Sequence, residues 1–466
     1  MKRIAQAGEP SDFTSGFIAE FFVYRSRFRF AIRHAHGSRR ENEVLAIRLS
    51  GAPGYVGSHG IDGICTGIGE SLPRRYVTGE QISISVANTL FRELAVPVMA
   101  AGQSLQCATE LLIDAREGAS ARGAIALWSG FDLALIDWLS QVHRCSLVDI
   151  AHRIQVSAWL RAGLSSPHVS KPEKFSTFRV PIRATIPMLK PWLAGYLARI
   201  YRLSGFRLFK IKVGGSSDLE RVKAVLDAGV DDLTLDANQG LSELSAGKLV
   251  DDIYRIVQGK RISFSAFEDP VYTPPGGQAH VAMARFARSL RVPVMADEPL
   301  SGTSSCSDFA RESDVRIWNL RIGKCGGITG TILAAATAKS RGIGVVLGAL
   351  VGEGLPMVRA AQLLRGIIQP LWVDAAFSNW ILRRGYYSSK FRWPVKHAGY
   401  GLGVGLCEAT MRRNLLSYSV IRSMAVEKSS EETPQDSRTL RAPAGPNGSP
   451  GIMTMRDFSK AQEANS

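Results

Sequence analysis

The sequence predicts an α/β protein, a closed parallel barrel preceded by an N-terminal α+β unit. Three observations carry that expectation. Strand and helix patterns alternate from about residue 180 to residue 375; successive strand runs end in charged residues; and the first 150 or so residues read instead as strands followed by helices. Eight β units in about 195 residues favour closure into a barrel, and an open doubly wound sheet is the alternative that alternation leaves standing.

Residues 1–20 are mixed and turn-rich and are expected to be poorly ordered. From Phe21 to Arg33 aromatic and branched residues alternate with Arg, the pattern of a strand with one wet face. A polar loop, His34 to Arg40, leads to a second strand over Glu43 to Ser50. GESLPRRYVTGE (69–80) reads as a loop entering a helix with Thr78 as N-cap, and three helical patterns follow between residues 80 and 145. The α+β unit is assigned residues 21–178.

The barrel is assigned residues 179–375. Its strands are VPIRATIP (180–187), FRLFKIKV (206–213), DLTLDAN (232–238), ISFSAFEDP (262–270), VPVMADEP (292–299), RIWNLRIG (316–323), IGVVLGAL (343–350) and IQPLWVDA (368–375). Helical patterns such as DLERVKAVLDAG and TILAAATAKSRG lie between them. Beyond residue 376 the alternation stops in a stretch rich in Gly and aromatics, over 376–424. The segment 425–466 is polar, rich in Pro, Ser and Gly, and expected to be disordered.

Composition excludes several classes. At 466 residues, 45% hydrophobic and 21% charged, the chain is neither fibrous nor wholly disordered. Lys and Arg number 57 against 41 acidic residues, a net charge of +16 that suits acidic partners. The basic residues are dispersed, with no zinc-finger spacing, RNP-like motif or helix-turn-helix pattern, so nucleic acid is not the expected partner. The six cysteines form no CxxC pair, and no apolar run is read as approaching the ~20 residues of a membrane span. Lys2-Arg3 is followed by Glu9 and Asp12 before any leader-like apolar segment, and the expectation is a cytoplasmic protein away from membranes.

The strand ends carry the chemistry. Lys210 and Lys212 close the second barrel strand and share a face, because side chains alternate with period two. Asp236, Glu268 and the pair Asp297-Glu298 close the next three. The C-terminal ends of barrel strands meet on one face, and three carboxylates there repel one another unless a cation joins them. Oxygen ligands suit a hard divalent ion, Mg²⁺ first and Mn²⁺ as the alternative. Lys212, beside a metal and a second ammonium, is the candidate base, with the cation stabilising charge as a proton leaves α to a carboxylate.

FKIKVGG, LDANQG, FEDP, ADEP and NLRIGKCGG, in this order, resemble the enolase superfamily, specifically the mandelate racemase/muconate lactonizing enzyme family and its muconate cycloisomerase and dipeptide epimerase branch. The resemblance implies a modified (β/α)7β TIM-like barrel with a capping domain, the stretch over 376–424 returning to the cap, and a homo-oligomer. It implies Asp236, Glu268 and Asp297 as Mg²⁺ ligands, Glu298 and Asn238 as their support, Lys212 as base and Lys210 as its electrostatic neighbour. Where that branch carries a second catalytic Lys on the sixth strand, this chain has Arg321. Arg is a poor proton shuttle at neutral pH, so Lys212 with Arg321 fits one-base cycloisomerisation or dehydration better than two-base epimerisation. Lys324 is the substitute for the missing Lys, but its odd offset places it on the other strand face unless the strand ends first.

Further candidates for contacting a small carboxylate substrate are Glu353, after the seventh strand, and Asp374, at the end of the eighth. His34, His36 and Arg39 lie in the basic loop where such a cap covers the barrel mouth, suited to a second anionic group. Gly326-Gly327, between strand and helix, is a weak candidate for a phosphate, and Cys325 is read as a buried filler. The rival of another class is a metal-containing binding protein without turnover.

Overall fold

The computed structural model describes residues 16–34, 37–51, 64–75, 77–164, 180–272, 279–300, 314–375, 382, 387, 401–402, 404–407, 410 and 413–424. Of the expected poorly ordered start, 1–20, residues 1–15 lie outside them and 16–20 are instead strand, paired on both sides in the cap sheet; the expected disordered segment 425–466 lies outside them, as do Cys306 and most of 376–400.

The first sheet belongs to the cap. It comprises β1 (Gly16–His34), β2 (Gly37–Gly51), β3 (Cys65–Ser71) and β12 (Leu415–Met424), in the order β12-β1-β2-β3. All neighbours are antiparallel, so residues from near the end of the described chain close the sheet beside β1. The segment expected as the polar loop His34 to Arg40 is instead the tip of the β1–β2 hairpin. Ile32 faces Arg39 and His34 faces Gly37 across it. Polar residues sit in these strands without penalty because one face of an antiparallel sheet stays wet.

β3 escapes sequence patterning because it is built on glycines. A Cβ on Gly67 or Gly69 would lie 1.9 Å from the Ala134 carbonyl oxygen or 1.8 Å from that of Gly130, so α4 (Ile125–Val142) meets this strand backbone to backbone. GESLPRRYVTGE therefore starts inside β3, and Thr78 caps no helix: its hydroxyl accepts from the Arg74 amide at 2.8 Å. The helix α1 (Ile84–Leu90) is capped by Ser83. Glu80 reaches the start of α4, accepting from the amides of Ala126 at 2.7 Å and Leu127 at 2.9 Å.

From α1 a π-helical turn (Phe91–Ala95) runs on into α2 (Val96–Ala100). The span Ile84–Gln103 has a mean hydropathy of 1.2 over its best window, which meets the length and composition of a membrane span and corrects the expectation that no run approaches one. Its Leu90, Phe91, Val98 and Met99 are buried in the cap core, and Arg92-Glu93 lie mid-run. α3 (Leu105–Ala121) follows, and after α4 comes α5 (Leu147–Arg161), which begins with a Ser146/Asp149 capping box.

All eight expected barrel strands form, and the sheet closes. They are β4 (Ile182–Ile186), β5 (Leu208–Lys212), β6 (Asp232–Asp236), β7 (Ser263–Glu268), β8 (Val294–Ala296), β9 (Val315–Arg321), β10 (Gly344–Gly348) and β11 (Val373–Ala375). Each pairs in parallel with the next, and β11 pairs with β4, which decides for the barrel against the open sheet. The described helices between them are α6 (Pro191–Leu203), α7 (Asp218–Leu226), α8 (Glu243–Val257), α9 (Ala279–Ser289), the one-turn α10 (Ile322–Cys325), α11 (Gly327–Ser340) and α12 (Leu355–Ile368). One apolar core joins cap and barrel, with Trp128, Phe131 and Trp138 in the same cluster as Trp318, Ile328 and Leu363. A second core fills the β4–β7 side. Cap and barrel therefore share buried surface, which fixes the cap against the barrel helices.

Candidate active site

Strand register gathers the charged residues into a layer. Lys212 lies opposite Asp236 on β6, and Asp236 lies opposite Glu268 on β7. Lys212 Nζ donates to Asp236 Oδ2 at 2.9 Å and to Asn238 Oδ1. Asn238 passes the contact on, donating to Glu298 Oε1 at 2.8 Å. Asn238 and Asp269 both adopt positive φ, +43° and +38°, in the turns that leave β6 and β7. Asn and Asp tolerate that region best among residues with a Cβ.

Lys210, one pleat deeper, is clamped by acids. Its ammonium donates to Asp374 Oδ2 at 2.5 Å and Glu268 Oε2 at 3.0 Å, and lies 3.8 Å from Asp236 Oδ2. Burial opposes the charge, but Asp374, Glu268 and Asp236 outweigh it and hold the Lys210 pKa above the ordinary lysine value. Lys210 is a fixed cation. Asp374 is thereby placed at the floor of the site as its partner. Asn319, which strand reading passed over within the NLRIG run, donates to Glu268 Oε1 at 2.9 Å.

Across the barrel, Arg321 at the end of β9 pairs with Asp297 Oδ2 and lies 3.8 Å from Glu268 Oε1 and 3.9 Å from Glu298 Oε1. Lys324 corrects the alternation argument. β9 ends at Arg321, and α10 swings Lys324 inward, where its ammonium donates to the Asp297 carbonyl, to Asp297 Oδ1 at 3.2 Å and to the Glu298 carbonyl at 3.3 Å. Burial, with Arg321 adding repulsion, brings the Lys324 pKa down to about 7. Burial likewise raises that of Glu298.

The carboxylates whose oxygens lie within 4.8 Å of one another are Asp269, Asp297 and Glu298, a set that shares only Asp297 with the expected ligands Asp236, Glu268 and Asp297. Lys210 and Arg321 stand among the expected three. Asp269 accepts from the amides of Asp297 at 3.1 Å and Glu298 at 2.6 Å, so it sets the turn after β8. FEDP spells a turn in sequence, and only the fold shows which neighbouring strand that turn holds.

Cap residues reach the same mouth. Arg74 donates to the Val351 carbonyl and Asn42 to the same oxygen at 2.9 Å. Glu70 accepts from the Gly354 amide at 2.6 Å, from Tyr24 at 3.3 Å and from Tyr387. Glu353 neither caps α12 nor carries an ion pair among the described residues; it accepts from the Leu350 amide at 2.8 Å. Arg39 is half-buried in β2, and the side chains of His34 and His36 lie outside the described residues.

The Gly326-Gly327 turn is occupied by protein. Both residues have positive φ, +86° and +92°, and a Cβ on Gly327 would lie 2.2 Å from Asp132 Oδ2. Asp132, from α4, accepts from the Thr329 amide at 3.1 Å, where a phosphate would otherwise sit. Arg116 of α3 donates to the Cys325 carbonyl at 3.1 and 3.0 Å. Cys325 is buried, and burial raises its thiol pKa, as befits a filler.

Residues 193–409 match the family model described as enolase C-terminal domain-like. That match spans 217 of the 466 residues and gives this part of the chain an enolase C-terminal-like domain. The chain is 27% identical over 390 residues to the hydrophobic dipeptide epimerase of Citrifermentans bemidjiense, covering 82% of this chain and 95% of that protein. It is 25% identical over 218 residues to muconate cycloisomerase 1-2 of Acinetobacter lwoffii, covering 45% and 53%. The crystal structure of a dipeptide epimerase from Cytophaga hutchinsonii, complexed with Mg and D-Ala-L-Val, superposes with a TM-score of 0.62 at 18% identity, over 88% of this chain and 99% of that one. Relatives of both reaction types thus match this chain, the epimerase over most of it and the cycloisomerase over less than half.

Proposed function

We propose that this chain is an enzyme that removes the proton α to a substrate carboxylate with Lys212, in a one-base reaction ending in cycloisomerisation or loss of water. The observation that carries the reading is the contrast between the two lysines of β5. Lys210 is locked among three carboxylates, whereas Lys212, at the strand's end, holds one carboxylate and one amide oxygen and keeps a fifth of its side chain exposed. The group facing the site from β9 is Arg321, which supplies positive charge but no proton shuttle.

The donor set suits a hard divalent cation. Its oxygens are carboxylates, and Glu298 Oε2 is buried without a hydrogen-bond partner. Asp236, Glu268 and Asp297, the ligands the family resemblance implies, are the residues that would hold Mg²⁺; a structural neighbour, the Cytophaga hutchinsonii dipeptide epimerase, is complexed with Mg. When bound, Mg²⁺ supplies Lewis-acid stabilisation of the charge developing on the substrate carboxylate. Asn238 then orients the Lys212 amine, Lys210 offsets the gathered carboxylates, and Arg321 faces the anion from the β9 side.

Two-base epimerisation is the second reading. It is favoured by the entry of Lys324 into the site and by the epimerase relatives. The test is ¹H NMR of α-proton exchange in D₂O with Mg²⁺, across dipeptides, sugar acids and unsaturated acids, for wild type, Lys212→Ala and Lys324→Ala. Exchange with retention, or loss of water, that disappears in Lys212→Ala supports the one-base reading. Exchange with inversion that needs both lysines replaces it with the second. A protein that binds Mg²⁺ and carboxylates yet exchanges none is the binding protein of the rival class.

A further inference from the structure

The first helix of the barrel turns an apolar face to solvent. On α6, Trp192 is 69% exposed, Tyr196 60%, Ile200 42% and Leu203 89%. Their spacing of four, four and three residues confines them to about 80° of the helix surface, one stripe along its length. The opposite side is already used. Ala194, Gly195 and Ala198 are buried, and a Cβ on Gly195 would lie 2.8 Å from the Ala224 carbonyl oxygen of α7.

Four large apolar side chains in one line present roughly 500 Å², the size of a functional patch and of the apolar centre of a standard interface. Trp and Tyr are enriched at such centres. The charges around the stripe are of both signs. α6 carries no acid and has Arg199 and Arg202 in its C-terminal half, whereas α7 beside it exposes Glu220 in its N-terminal half and Asp227 at its end. Acids at the border of the patch favour a second protein surface over an anionic lipid surface.

We propose that the exposed stripe of α6 is the centre of a two-fold interface between two copies of this chain. The face answers itself when one copy is turned about an axis across the stripe, so that α6 pairs antiparallel with the partner's α6. Trp192 then meets the partner's Leu203, and Tyr196 meets the partner's Ile200. Arg199 and Arg202 face the end of the neighbouring helix that carries the partner's Glu220. The family motifs have no bearing on this helix, and failure of the interface leaves the Lys212 reading intact.

Sedimentation velocity and light scattering of the full chain at micromolar concentration test the interface. Wild type should run at twice 50.6 kDa or an even multiple of that mass. Tyr196→Glu with Leu203→Glu should halve it, with an unchanged circular dichroism spectrum because both side chains are on the surface. Arg199→Glu should weaken association about 10-fold, and Glu220→Arg in the same chain should restore it. Cysteine pairing reads the register: Trp192→Cys protein mixed with Leu203→Cys protein should form a disulfide-linked pair on mild oxidation. Either variant alone should not, since the two positions lie about 16 Å apart along the helix. Wild type, with its exposed Cys107, is the blank. Linkage within either variant alone, or none in the mixture, overturns the antiparallel pairing. A monomeric wild type overturns the interface, as does an oligomer whose mass survives the double Glu variant. A monomer that instead sediments with phosphatidylserine vesicles, and no longer does so in that variant, overturns it in favour of a membrane.

Discussion

Asp132→Asn should make the protein's stability respond differently to pH. Asp132 is fully buried at the cap–barrel junction, and burial raises its pKa to about 7 against hydrogen bonds from Thr329 and the Ile328 amide that act the other way. An unfolded Asp titrates near 3.9. The folded state therefore binds this proton more tightly, and the stabilisation is complete below about pH 4 and lost as pH rises to about 7. Between about pH 5 and pH 8 the linkage integral removes about 2–3 kcal/mol from wild type. Asn cannot ionise, so its packing and hydrogen-bond cost is the same at every pH and cancels in the comparison. Urea unfolding of both proteins across that range should show the variant gaining on wild type by about that amount toward pH 8. A difference that stays flat, or that moves the other way, would show that Asp132 is ionised in its pocket and that its hydrogen bonds outweigh burial.

Three further outcomes follow from the same geometry. Gly327→Ala places a Cβ against the Asp132 carboxylate at φ +92°, whereas Gly259→Ala at φ +75° meets nothing within 4 Å. The second should cost about 1–2 kcal/mol of backbone strain and the first clearly more, read as the gap between their urea midpoints. Arg116→Met deletes two buried hydrogen bonds to the Cys325 carbonyl and should lower stability by about 2–3 kcal/mol. Its kcat should fall further than its KM changes, since α10 carries Lys324, and an unchanged kcat would separate Arg116 from the site. Added Mg²⁺ should raise the melting temperature, and Asp297→Asn should abolish that rise; a rise of equal size in the variant would remove Asp297 from the ligand set.

The strands and the layer of strand-end charges were legible in the chain because both are local. Period-two alternation shows Lys210 and Lys212 on one face, and a carboxylate closing a buried run marks a barrel mouth whatever surrounds it. β3 was not legible, because its two glycines carry no strand signal and exist for a helix sixty residues onward. The same limit hid the hairpin tip at Arg39, whose polar residues look like a loop until a partner strand is known.

What the sequence determined by itself is therefore the eight alternating strand units, the family motifs and the identity of the reacting-end lysine candidate, all properties of short runs repeated in order, while closure of the sheet waited for the β11–β4 pairing. Tertiary structure alone decided where β9 stops, and with it whether Lys324 enters the site, since α10 is held from outside by Arg116 on Cys325 and Asp132 on Thr329. Contacts between residues hundreds of positions apart leave no periodicity in the chain, because they are set by how one shared apolar core seats the cap against the barrel.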